Sequence, residues 1–259
     1  MSGIRQESLS ERQAALKTLA HVIPLFVFLA VLLLMPLLGA VGFYVDNEDL
    51  YPWYRHAPEQ WLYPVQTIIA IVLLFLYRRS YDFEPVRGLG LAIAGGVLGI
   101  TLWVLPGHIF RETGMEEGWW KMLGFTSRSE GFDPSDAGGS DSVYYWLSVG
   151  MRFVRMVVVV ALVEEIFWRG FLMRYLLDKD GDYWQQPFGK FSWLSFLVVT
   201  LLFMFAHAPS DYLGALVYGS LTYALAVTTK SLAACILMHA VANLVLGIYV
   251  MVTGQLGYW

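Results

Sequence analysis

Seven apolar runs separated by shorter polar stretches organise this chain: 19–45, 61–77, 88–106, 145–176, 191–208, 212–228 and 232–252. Each approaches the roughly 20 residues that an α-helix needs to cross a bilayer. The pattern predicts an all-α, polytopic transmembrane helical bundle of about 7–8 spans. The first run is longer than a span requires, and Pro24 and Pro36 should kink it. It is also too long for the apolar core of a signal peptide and follows a polar, mixed-charge stretch, so it reads as a retained first span. Gly95 and Gly99 give the third run the small-xxx-small spacing that lets helix backbones approach closely.

The polar stretches set the orientation. Arg5, Arg12 and Lys17 precede the first run, Arg78, Arg79 and Arg87 follow the second, Lys179 and Lys190 follow the fourth, and Lys230 precedes the seventh. The alternate loops carry fewer basic residues: Arg55, then Arg111, Lys121 and Arg128 across the long segment 107–144. The positive-inside rule therefore expects a cytoplasmic N-terminus and an external C-terminus. The segment 107–144 is acidic and rich in Gly and Ser, and its GWWKMLGF stretch has the composition of an interfacial patch.

Composition sharpens this picture at three points. A hydrophobic fraction of 57%, a charged fraction of 15% and a mean hydropathy of +0.55 belong to a membrane protein rather than a soluble domain. A net charge of −4 without a basic stripe argues against nucleic acid as a partner. Cys235 is the single cysteine, which excludes intrachain disulfides and thiolate clusters, and its apolar neighbours make it a packing residue.

Against this background the polar residues inside the apolar runs demand a reason. An ionised carboxylate at mid-bilayer costs roughly 2.5–3.5 kcal/mol on insertion scales, yet Glu164 and Glu165 stand side by side in VVVVALVEEIFWRGF. Glu165 and Arg169 share a helix face as an i,i+4 pair, which explains one carboxylate as a neutralised bundle contact. Glu164 points about 100° away and is left to bind a proton, a cation or a water. Phe203 and His207 lie near the end of the fifth run, before Pro209, where a lone histidine reads first as a cap or a snorkelling group. His239 and Asn243 lie one turn apart in the seventh run and read first as an interhelical hydrogen-bonding pair.

Each bland reading works alone, but together these residues on three runs describe one polar cavity. Glutamate with histidine can activate water, and a second histidine with an asparagine can stabilise an oxyanion. The same atoms could instead hold a divalent metal such as zinc, since Glu and two His form a hydrolytic ligand set.

The order EExxxR at Glu164–Arg169, FxxxH at Phe203–His207 and HxxxN at His239–Asn243 resembles the CAAX prenyl endopeptidase and bacteriocin-processing family of intramembrane proteases (the CPBP or Abi family), among them the bacterial exosortase-associated branch. The resemblance covers about 145–250. It divides one integral membrane domain into N-terminal spans with a long acidic loop (1–144) and a catalytic helical core (145–259). It implies Glu164 as the general base on water, assisted by His207, and Glu165 as a supporting acid held by Arg169. It implies an oxyanion hole of His239 and Asn243, with Phe203 shaping the pocket. It favours a glutamate-type site with no cofactor over a metal site. The implied partners are the lipid bilayer and a membrane-associated peptide or protein substrate. The implied location is a bacterial cytoplasmic membrane.

Two other classes compete with this expectation. A proton-coupled carrier would use the same Glu, His and Arg as a relay, though no internal repeat accompanies them. A non-catalytic scaffold or immunity protein of the same family would keep the residues without turnover. Depth is a further constraint: a fourth helix ending at 168 would separate Glu164 from His207 by on the order of 20 Å. A helix running to about 177 brings the carboxylates toward mid-bilayer, with Arg169 and Arg174 snorkelling, and leaves Arg152 and Arg155 for the mouth of the cavity.

Overall fold

The structure, a computed structural model, describes residues 2–43, 53–115, 118–179 and 182–259. Seven main helices follow the seven apolar runs: α1 (Arg12–Ala40), α2 (Glu59–Ser80), α3 (Leu89–Thr113), α4 (Val143–Tyr175), α5 (Trp193–Phe205), α6 (Tyr212–Thr229) and α7 (Leu232–Thr253). No strand occurs among the described residues. Five of these, α1 to α4 and α7, are long and apolar enough to cross a membrane. The remaining two differ from full spans for distinct reasons. With 13 residues, α5 is about 20 Å long. Tyr, Thr, Ser and Gly residues interrupt α6, which buries nine of its residues inside the bundle.

Local sequence explains the ends and breaks. The helical ladder of α1 is interrupted at Leu33, because Pro36 has no N–H to offer the carbonyl four residues earlier. Pro24 remains inside the helix. Lys230 takes a left-handed conformation (φ 52°) to turn the chain from α6 into α7. Ser231 then caps α7, its side chain accepting from the Ala234 N–H at 3.2 Å.

The helices leave a broad apolar outer face, with Leu37, Phe75, Leu76, Trp193 and Val252 all exposed, as expected of surface that meets lipid rather than water. Inside, α3 packs along α7 and α6. The closest approaches are at Gly96 and Gly99, one step round the helix from the expected Gly95–Gly99 pair. A Cβ on Gly96 would sit 2.6 Å from the Met238 carbonyl, and one on Gly99 would sit 2.7 Å from the Tyr218 ring. Gly96→Ala must therefore move backbone, and a loss of about 1–3 kcal/mol is expected, read as a lower thermal unfolding midpoint. Gly90→Ala, with nothing within 4 Å of its Cβ, is the control and should hold the wild-type midpoint or exceed it.

The segment between α3 and α4 is more ordered than an acidic loop suggests. α3 continues to Thr113, and short 3₁₀ turns follow at Trp119–Leu123 and Pro134–Ala137. Within this segment Arg128 is buried and bonds Asp211 at 2.8 Å, closing the segment over the start of α6. Trp119 and Met122 of the aromatic stretch are exposed.

Candidate active site

α4 supplies the two glutamates and is the least regular helix. Two π-helical turns, Val154–Val160 and Ile166–Leu172, flank the α-helical segment Ala161–Glu165 that carries them. Such turns widen the helix and redirect side chains relative to a uniform 3.6-residue register. Because α4 runs on to Tyr175, Glu164 lies well inside it, and the depth conflict with His207 disappears.

A cavity of about 440 Å³ collects the polar residues of three helices: Glu164 from α4, His207 from just beyond α5, and His239 and Asn243 from α7. Phe203 lines it as well, its ring 4.7 Å from that of His207. Glu164 is half-buried, and its Oε2 is buried without a hydrogen-bond partner among the described residues. Such an oxygen in a polar cavity is free to accept from water.

Glu165 and Arg169 sit behind the cavity wall. Both side chains are 0% exposed and are joined through Arg169 Nη1 and Glu165 Oε1 at 2.8 Å. The same carboxylate oxygen meets His239 Nδ1 at 2.9 Å. Arg169 also donates to the Gly219 carbonyl at 3.3 Å and lies 5.1 Å from the centre of the Phe203 ring. It does not snorkel to the membrane surface: its charge is compensated where it lies, so nothing draws it to the interface.

The two imidazoles are oriented by what their Nδ1 atoms touch. His207 Nδ1 lies 2.7 Å from the Phe203 carbonyl, which can only accept, so Nδ1 carries the hydrogen and Nε2 is left as the other ring atom of a neutral imidazole. His239 Nδ1 faces the Glu165 oxygen that also accepts from Arg169, so it too is the donor. Asn243 donates through Nδ2 to the Met156 carbonyl at 2.6 Å, inside the first π-helical turn, which leaves its second N–H unassigned. The bonds from His239 and Asn243 both join α7 to α4, so these residues tie the bundle as well as line the cavity.

Arg152 and Arg155, which the sequence left for the mouth of the cavity, do line it. Arg155 donates to Gln66 at 2.8 Å and stacks on Tyr63 at 4.3 Å, while Arg152 stacks on Tyr63 at 4.8 Å. The two arginines line the cavity, and aromatic faces carry part of their desolvation. At the far wall Trp103 Nε1 and Arg128 both donate to Asp211, and Tyr258 packs beneath the Arg128 guanidinium at 4.6 Å. Burial pushes the Tyr258 phenol up to about 12, against the pull of the Arg128 charge. Gln66 alone in an apolar run was a readable signal. Arg128 and Asp211, 83 positions apart, offered none.

Among the described residues no group of three His, Cys, Asp or Glu side chains is placed to hold a metal ion. Glu165 Oε1 is already shared by Arg169 and His239.

The carboxylate, two imidazoles and carboxamide that converge on this cavity all lie in the stretch that the comparisons with known proteins match. Residues 146–245 fit the family model described as type II CAAX prenyl endopeptidase Rce1-like. Over this stretch, less than half of the chain, the sequence resembles the Rce1-like family. The matched stretch runs from α4 into α7 and contains every residue of the three motifs. The match supports a CAAX-type endopeptidase in general terms, and the long apolar helices are those of an integral membrane protein. No curated protein and no solved structure matches the chain.

Proposed function

We propose that this chain is an intramembrane endopeptidase in which Glu164 activates the hydrolytic water. The observation that supports this is the convergence of Glu164, His207, His239 and Asn243 on one cavity, with Glu164 Oε2 unpartnered. In this reading Glu164 takes a proton from water as the water oxygen adds to the scissile carbonyl carbon. His207 Nε2 accepts the second water hydrogen and orients the attack, because its Nδ1 hydrogen is spent on Phe203. The oxyanion is met by the second Asn243 N–H and by His239 Nε2, which donates when the ring is an imidazolium compensated by Glu165. On collapse the C–N bond breaks, and Glu164 returns its proton to the leaving amine nitrogen. Glu165 and Arg169 touch no substrate in this scheme; they position His239.

No step is routed through a metal, and no cofactor is assigned. The substrate class is a membrane-tethered peptide or protein. Phe28, Leu29 and Ile100 give the cavity an apolar wall, and Leu29 is also exposed on the outer face, where a lipid-anchored segment would approach from the bilayer. The proposed location is a bacterial cytoplasmic membrane with the N-terminus inside.

The test is cleavage of a panel of membrane-tethered peptides by the purified full-length chain, read by mass spectrometry, with and without chelator. Wild type is expected to cleave regardless of chelator, and His207→Ala to be slower by about 10²-fold or more. Chelator-sensitive cleavage would turn the same side chains into metal ligands. Equal cleavage by His207→Ala would remove His207 from the reaction, and proton-coupled transport without cleavage would favour the carrier.

A further inference from the structure

A second cavity, larger than the catalytic one, plays no part in that chemistry. It has a volume of about 730 Å³ and lies toward the C-terminal end of α4, where Gly170 and Arg174 line it, whereas Glu164 and the upstream arginines face the catalytic cavity. Five cations surround it: Lys17 from α1, Arg87 from before α3, Arg174 from α4, Lys190 from before α5 and Lys230 from between α6 and α7. They are drawn from the chain segments that the positive-inside rule assigns to the cytoplasm.

A cytoplasmic surface rich in Lys and Arg is ordinary, and solvated charges would need no ligand. Three features set this group apart. The cations converge on one concavity instead of being spread over the surface. Among the described residues none of the five lies within 4 Å of a carboxylate; the ion pairs formed are all elsewhere. The two carboxylates at the rim, Asp82 and Glu84, are turned onto their own loop, accepting from the Glu84 N–H at 3.1 Å and the Val86 N–H at 3.2 Å.

Backbone carbonyls, rather than carboxylates in direct contact, hold three of these cations in place, although the Asp82 charge is also felt by Arg174. Arg174 donates to the carbonyls of Gln186 (3.0 Å from Nε) and Trp184, Arg87 donates through Nε to the Thr229 carbonyl, and Lys230 donates to the Gly189 carbonyl. Both terminal nitrogens of the Arg87 fork remain available for a bidentate acceptor. The ammonium of Lys17 lies 5.4 Å from the centre of the Trp184 ring, and the Lys190 side chain makes no hydrogen bond to a described residue. Cations gathered around a cavity of headgroup size without a carboxylate in direct contact are an arrangement that recognises phosphate.

We infer that this cavity binds a phosphate-bearing anion: the headgroup of an acidic phospholipid or a free phosphate. Its floor includes Gly170, which adjoins the Arg169 that holds Glu165 and His239, so the occupant sits against the back of the catalytic helix.

The full-length chain is reconstituted in phosphatidylcholine nanodiscs with and without phosphatidylglycerol. Retained lipid is counted by native mass spectrometry, and thermal midpoints are followed with and without inorganic phosphate. Lys17→Gln with Lys190→Gln should weaken binding roughly 10–30-fold, from about a factor of five for each lysine near an anionic surface. Their side chains make no hydrogen bond to a described residue, so the unliganded midpoint should be unchanged; the single Lys190→Gln serves if the pair lowers it. Lys121→Gln, which removes the same charge on the opposite side, should bind as wild type. Retained phosphatidylglycerol that the double variant loses identifies a lipid site. A phosphate-induced rise in wild type alone identifies a soluble anion. Equal binding by wild type and double variant, or no response to either probe, overturns the inference.

Discussion

Glu164→Gln is expected to fold as wild type and to cleave its substrate about 10²–10⁴-fold more slowly. The two halves of this expectation come from one observation. The Glu164 side chain lines the catalytic cavity, and its Oε2 is bonded to nothing among the described residues. A carboxamide of the same shape therefore breaks no contact, while its amide cannot take a proton from water. Rates under single-turnover conditions, with thermal unfolding measured alongside, separate the two effects. A large fall in the midpoint with little change in rate would make Glu164 a bundle contact, and an unchanged rate would remove it from the chemistry. A carrier would instead lose proton coupling in the same variant.

Arg169→Met should be the most destabilising single change in the core. It leaves the fully buried Glu165 carboxylate with only His239 to answer its charge. Removing one partner of a buried ion pair costs on the order of 3–5 kcal/mol, because the other charge stays behind. The expected readout is a lowered midpoint in thermal or detergent unfolding. Glu165→Gln combined with Arg169→Met should recover much of the loss, since no bare charge then remains. If the single variant is as stable as wild type, the pair is not what holds α4 against α7. The double variant is also informative about turnover. In the proposed mechanism Glu165 acts through His239, so a stable double variant should show a reduced kcat with KM little changed.

Much of this architecture was legible from residue order alone. A carboxylate in an apolar run cannot be solvated by lipid, so Glu164, Glu165, Arg169, His239 and Asn243 had to turn inward and meet one another. The i,i+4 spacing of Glu165 and Arg169 anticipates the bond that forms, even though the helix becomes π-helical from Ile166, because the long arginine side chain spans the change in register. Other expectations shifted. The close helix approach falls on Gly96 and Gly99, since which face of α3 meets α7 depends on how the bundle is wound. Arg169 is fully buried rather than snorkelling, because a carboxylate awaits it inside.

The sequence by itself determined that the chain forms apolar helices, where they run, and that its intramembrane polar residues share an interior. These follow from the energetics of backbone and charge in hydrocarbon, which act on local composition. Only the tertiary structure decided that His239 shares the Glu165 oxygen with Arg169 behind the cavity wall. It also brought Arg128 to Asp211 and gathered five cations from five segments around one cavity. Those outcomes depend on the rotation and depth of each helix against its neighbours. Packing between distant segments sets both, and no residue's immediate neighbours record them.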